Sequence, residues 1–213
     1  MREEWVPVLS PTTRVFHVSY DQIRNFTLRV PHHRLYGEDN ITGRICVATS
    51  VENCINAKAG QASALELAVG NKLPLALFVY EAEVNRKDLI FPCVLQRDYG
   101  VSDAIMNQEY WLMKVPEFTE RICFVNDAHF SYERNADTPK VSDIQLTEYS
   151  RLPSWSIQAH FQRTLLKDEF SEYTTDEILM DLLEDMSCEE SKQFLAKLRR
   201  DTYERILHSD EIK

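Results

Sequence analysis

Glycine is scarce in this chain, with five in 213 residues. Neither the Gly-x-x-x-x-Gly-Lys loop that cradles nucleotide phosphates nor the Gly-x-Gly-x-x-Gly turn of dinucleotide-binding folds is present, so both phosphate cradles are excluded. There is no Gly-x-Ser-x-Gly elbow and no recognisable Cys-His context, which leaves Ser or Cys nucleophilic catalysis without a foothold. The cysteines are Cys46, Cys54, Cys93, Cys123 and Cys188. None forms a Cys-x-x-Cys pair or has a His at zinc-ligand spacing. Their odd number, and settings such as "RICVA" and "RICFV", suit buried thiols in a reducing compartment. No apolar run approaches the roughly 18 residues of a membrane span, and "MREEWVPVLSP" lacks the apolar core of a signal peptide. The expectation is a soluble, cytoplasmic protein without membrane contact. Positive charge is also short. With 24 Lys and Arg against 34 Asp and Glu, the net charge is -10. That opposes broad nucleic-acid binding, which needs cations to displace counterions.

A globular composition remains, 44% hydrophobic and 27% charged. Residues 13–20, "TRVFHVSY", predict a strand, and 44–49, "RICVAT", a second. Between them, 21–43 carries Pro31, Gly37 and Gly43 among Asn and Asp and predicts a loop long enough to be functional. Ser50 is a candidate N-cap for one or two helices ending near Gly70. "LPLALFVYEAEV" (73–84) predicts a strand that begins continuously apolar and ends alternating. Residues 88–96 predict an irregular strand around Pro92. Residues 108–115 and 120–132 predict a late strand pair joined at "PEFT". From Pro153 the texture turns helical. Capping boxes at Thr174/Glu177 and Ser187/Glu190 open two amphipathic helices. The expected organisation is an α+β domain over 1–150 and a helical extension over 151–213.

Three stretches, in order, resemble the split active site of ADP-ribosyltransferases of the diphtheria-toxin and poly(ADP-ribose) polymerase type. "VFHVS" resembles the early strand carrying His, with Val18 in place of the usual Gly and Ser19 following. "GRICVATSVENCINA" resembles the strand-then-helix motif, with Ile45, Val47 and Ala48 matching and Cys46 at the Tyr position. "NQEYWLMK" resembles the strand carrying the catalytic Glu, here Glu109 followed by Tyr110. The likeness spans roughly residues 13–126. The stretch from "FHVS" through "RICVATS" also looks similar to short proteins of bacteria and their phages.

The resemblance implies a split mixed or antiparallel sheet and an NAD-dependent transfer of ADP-ribose to a macromolecular acceptor, protein rather than nucleic acid, or NAD hydrolysis. Glu109 would stabilise the positive charge that develops on the ribose as nicotinamide leaves. His17 would hydrogen-bond the adenosine ribose. Ser19, or Thr49 with Ser50, would meet the carboxamide or ribose. Tyr20, Tyr36 and Tyr110 are candidates to stack on nicotinamide, a role the residue at position 46 would fill in the family. Arg29, Arg34 or Arg44 would meet the pyrophosphate. The family's arginine-modifying branch instead wants Arg on the first strand, where Arg14 stands, with "ATS" imitating its Ser-Thr-Ser element. Gln108-Glu109 lacks that branch's spacer.

Plainer readings stand beside these. Taken alone, His17 between Phe16 and Val18 is a strand histidine and Glu109 a strand-end carboxylate. His32-His33 is a polar loop that would bind metal only if Glu38 or Asp39 folded back. Trp155 and "EEWVP" read as anchors on the body. The alternative function is a catalytically inactive module that binds a nucleotide, an NAD derivative or another protein, such as a bacterial or phage inhibitor or counter-defence factor.

Overall fold

The computed structural model describes residues 10–31, 36–58, 60–132 and 138–165, with positions 193 and 196. The helices expected over 174–209, apart from positions 193 and 196, and both capping boxes, His32, His33, Arg34, Trp5 and Cys188 lie outside the described residues. Seven strands form one sheet: β1 (Thr12–Ser19), β2 (Ile45–Ala48), β3 (Ala76–Asn85), β4 (Leu89–Ile90), β5 (Glu109–Leu112), β6 (Thr119–Tyr132) and β7 (Pro139–Tyr149). Their order is β4-β5-β2-β1-β3-β6-β7. Every neighbouring pair among the described strands is antiparallel, and the fold is α+β. The helices are α1 (Val51–Ala57), α2 (Gln61–Gly70), α3 (Pro92–Asp98) and α4 (Ile157–Leu165).

Alternation along β1 sorts its side chains. Phe16 and Val18 join the cluster beneath α1 and α2, with Ile55, Leu65, Leu77, Val79, Cys123 and Val125. Val15 joins a second cluster on the opposite face, with Ile45, Val47, Ala82 and Leu112. Successive strand residues must point to opposite faces, and the packing obeys that rule. A third cluster, Leu95, Val101, Ala104 and Trp111, lies where α3 and the loop after it cover β5. The sheet is thinly joined at its centre. β1 pairs with β3 along its whole length, whereas β1 and β2 share the single register pair Phe16↔Ala48.

Several expectations hold at the local level. Ser50 caps α1, its Oγ accepting the Asn53 N–H at 3.2 Å. β3 is buried at every position from Ala76 to Tyr80 and alternates afterwards, matching its apolar pattern. Trp155 is buried and packs edge-on against Phe124 and Tyr149, with ring centroids 4.7 and 5.9 Å away. α4 docks on the body through buried Ile157 and Phe161. Gln158 accepts the Ala76 N–H and donates to the Ala76 carbonyl, satisfying backbone groups that would otherwise be orphaned by burial.

Three expectations fail. Residues 88–96 are not one strand, because Pro92 opens α3; proline lacks a donor the first helical turn does not need, and its φ is already helical. β5 and β6 are not a pair. β5 sits between β4 and β2, while β6 sits between β3 and β7, so the "PEFT" link carries the chain across the sheet. β7 was not anticipated. Its sequence, PKVSDIQLTEY, is largely polar, as suits an edge strand.

Candidate functional site

The three strands that bear the quoted motifs, β5, β2 and β1, are neighbours in that order. The register pairs Phe16 with Ala48 and Ala48 with Glu109. Paired residues share a face, so Glu109 projects with Phe16 toward the helices. His17, one residue on, projects the other way. It pairs with Tyr80 and packs its ring on Phe26 at 5.4 Å and Tyr80 at 6.2 Å. Its Nδ1–H donates to the Cys46 carbonyl at 2.8 Å, crossing the thin seam between β1 and β2. Phe26 in turn stacks on Phe118 at 4.3 Å. The imidazole is therefore part of an aromatic cluster against the sheet, and the two residues expected to share a groove are separated by the sheet itself.

Glu109 is sealed, with 6% of its surface exposed. Strand spacing places Trp111 on the same face two residues on, and its Nε1–H donates to Glu109 Oε1 at 2.7 Å. The Cys46 thiol reaches the same carboxyl. Burial pushes the Glu109 carboxyl above its ordinary pKa. The Trp111 and Cys46 hydrogen bonds pull it back, and the charges of Glu38 and Asp103 push it further up. The Cys46 thiol is itself driven far above the ordinary range, first by burial and then by the Glu109 charge. Asn107, also buried, donates from Nδ2 to Asp103 at 2.8 Å in the loop that delivers Glu109.

Arg44 sits at the centre of this region. Its side chain is fully buried. It pairs with Glu38 and, at 3.4 Å, with Asp39. Its Nη1 also donates to the carbonyls of Asp39 and Thr42 at 3.2 and 3.0 Å. The guanidinium lies 3.6 Å from the Trp111 ring centroid, a desolvated cation–π contact. A guanidinium so enclosed has no face for a pyrophosphate.

The other expected cofactor contacts are scattered. Tyr20 is buried among the residues beneath α1 and α2. Ser19 is on the His17 face, and its Oγ accepts the Asp21 N–H at 3.1 Å. Tyr110 is on that face too, against Phe91 at 5.6 Å. Tyr36 is fully exposed on the long loop. Thr49 is exposed and Ser50 is engaged as the α1 cap. Arg29 is exposed and bridges Arg44 through the backbone. The structure thus gathers Arg44, Cys46 and Glu109, leaves His17, Ser19 and Tyr110 on the reverse face, and withdraws Tyr20 into the core. Sequence reading missed Trp111 and the acidic pair Glu38-Asp39 as partners of Glu109 and Arg44. The i, i+2 spacing of Glu109 and Trp111 on a strand was the available signal for the first. Glu38 and Asp39 turn toward Arg44 rather than toward a metal, and among the described residues no three His, Cys, Asp or Glu are grouped to hold one. Among the same residues no helix is long and apolar enough to cross a membrane. No protein-family model, curated protein or solved structure matches the chain.

Proposed function

We propose that the chain is a catalytically inactive, ADP-ribosyltransferase-like protein that acts by binding another protein. The kinship of fold is supported by the order of the motifs, by their place on three adjacent strands, and by α1 following β2 as the helix follows the second motif in the family. The inactive reading is carried by one observation: Glu109 and His17 project from opposite faces of the sheet. A carboxylate that stabilises a ribosyl cation must touch it, and Glu109 touches Trp111 and Cys46 instead. The likeness to short bacterial and phage proteins suits an inhibitor or counter-defence role, which needs a surface and no turnover.

One observation favours a second reading. Arg14, like Phe16, alternates onto the Glu109 face, as the arginine-modifying branch would require. Its exposed side chain pairs with Glu81 at 3.0 Å.

Nicotinamide release from NAD tests both readings on the full chain and on Glu109→Gln, Arg14→Ala and His17→Ala variants. The expected result is no release above the protein-free blank from any of the four. Release lost in Glu109→Gln overturns the inactive reading. Loss in Arg14→Ala but not in His17→Ala assigns NAD cleavage to the helix face.

A further inference from the structure

Arg44 is the one buried cation among the described residues, and Glu109 is buried beside it. Their partners overlap. The guanidinium lies 3.6 Å from the Trp111 ring centroid, and the Trp111 Nε1–H donates to Glu109 at 2.7 Å. The Cys46 thiol meets both, through hydrogen bonds to the carboxyl and to the guanidinium. Yet the ion pairs of Arg44 run to Glu38 and Asp39. Its Nε is buried with no hydrogen-bond partner among the described residues. A buried donor left unmade bears the whole cost of its desolvation, so the guanidinium has a vacant edge and a reason to fill it. Charged and titratable groups reach Glu109 from each element around it. The start of β2 brings Arg44 and Cys46, the segment 36–42 brings Glu38, and the turn after α3 brings Asp103. α1 brings Cys54, whose thiol feels the Glu109 charge. Arg44 alone in that set is positive. A neutral Glu109 leaves the guanidinium to Glu38 and Asp39, whereas an ionised Glu109 sets one more carboxylate against a single cation.

We propose that Arg44 and Glu109 form a pH-operated latch on the segment 36–42: when Glu109 ionises, the Nε edge of Arg44 takes the new carboxylate, the hold on Glu38 is given up, and the segment lifts from the body. Charges enclosed together are screened little, so their arrangement answers strongly to one added charge. The segment is built to move as a unit. The Ile41 and Thr42 amides donate to Asp39 Oδ1 at 3.2 and 2.7 Å, bonds internal to the turn that survive its release. Apart from Arg44, it is tied to the body by the Asp39 N–H donating to the Tyr99 carbonyl at 2.9 Å, and Gly37 packs against Gly100. Burial holds the Glu109 carboxyl above its ordinary pKa, which moves its ionisation from acid toward neutral pH. The latch is therefore closed below the folded pKa of Glu109 and opens as pH rises through it. By linkage, opening raises the acid constant of Glu109 by the same factor as ionisation raises the opening.

The test follows backbone amide exchange of the full chain by NMR from about pH 5 to about pH 8, spanning the range above the ordinary Glu value of about 4.3. Rates are expressed as protection relative to the unstructured chain, so that intrinsic base catalysis cancels. The expected result is a loss of protection of about tenfold at Asp39, Ile41 and Thr42, the signature of a local opening. Val79, in the core strand β3, should keep its protection throughout. In Glu109→Gln, which cannot ionise, the segment's protection should stay flat with pH. A second measurement needs only the wild-type chain: the Arg44 Nε–H resonance should shift with the same inflection as the Glu109 carboxyl carbon. It keeps the test decisive if the variant fails to fold. Flat protection in wild type, an equal loss in Glu109→Gln, an equal loss at Val79, or an Arg44 Nε–H that ignores the Glu109 inflection would each overturn the latch. No ligand takes part, so the outcome is independent of the nicotinamide assay.

Discussion

Replacing Arg44 with Met separates a structural cation from a ligand-binding one. Arg44 is fully buried, and its charge is balanced by Glu38 and Asp39, whose side chains are 9% and 20% exposed. Removing one member of a buried pair costs about 3–5 kcal/mol, because the partner charge stays buried and unmatched. Asp39 retains amide donors from Ile41 and Thr42, so most of the loss falls on Glu38, and Met preserves apolar contact with Trp111. The lower end of that range applies, about 3 kcal/mol. This is a large share of a typical stability of about 5–15 kcal/mol. With a urea slope of about 2 kcal/mol/M, the unfolding midpoint should fall by roughly 1.5 M. Replacing Glu38 by Leu in the same chain should recover most of that, leaving the double variant within about 1 kcal/mol of wild type. A cation kept for an anionic ligand behaves in the opposite way: its removal from the unliganded protein leaves stability unchanged or raised and abolishes binding. A loss below about 1 kcal/mol, the scale of an exposed pair, would refute the reasoning, and so would a double variant no better than the single one.

The Glu109 carboxyl titrates above its ordinary value because it is buried. Its contribution to stability is therefore fully present below its unfolded pKa, about 4.3, and is lost as pH rises through the folded value. Glu109→Gln keeps an acceptor for Trp111 without a charge to bury. Urea unfolding from pH 4.5 to 8 should show the variant gaining on wild type as pH rises, and parallel curves would contradict the burial argument. Burial also pushes the Cys54 thiol up to about 12 and Cys46 higher, whereas Cys93 is exposed. In a Cys188→Ser background at pH 8, a thiol reagent should modify Cys93 readily and Cys46 and Cys54 only after denaturation; fast reaction of more than one thiol in the native protein would count against this. Truncation after Ser150 removes Trp155, Ile157, Gln158 and Phe161 from the core and should leave an insoluble or unfolded body. A soluble 1–150 fragment with native-like near-ultraviolet circular dichroism would show that α4 is dispensable.

Local chemistry was legible from the chain. Short runs rich in β-branched and aromatic residues announced β1, β3 and β6, and a hydroxyl at position 50 announced the start of α1, because each depends on residues within a few positions. α3 and β7 were missed for reasons equally local: Pro92 suits a helix start as well as a break in a strand, and an edge strand carries polar residues that blur its period. Only the tertiary structure decided which strands became neighbours and which face each side chain received. The sequence delivered His17 and Glu109 in the order of the family's motifs, but their relation depends on register across three strands, and a shift of one residue sends a side chain to the other face. Whether Arg44 meets a phosphate or a carboxylate is likewise non-local. The folding back of Glu38 and Asp39, and the approach of Trp111 from β5, made it a buried structural cation.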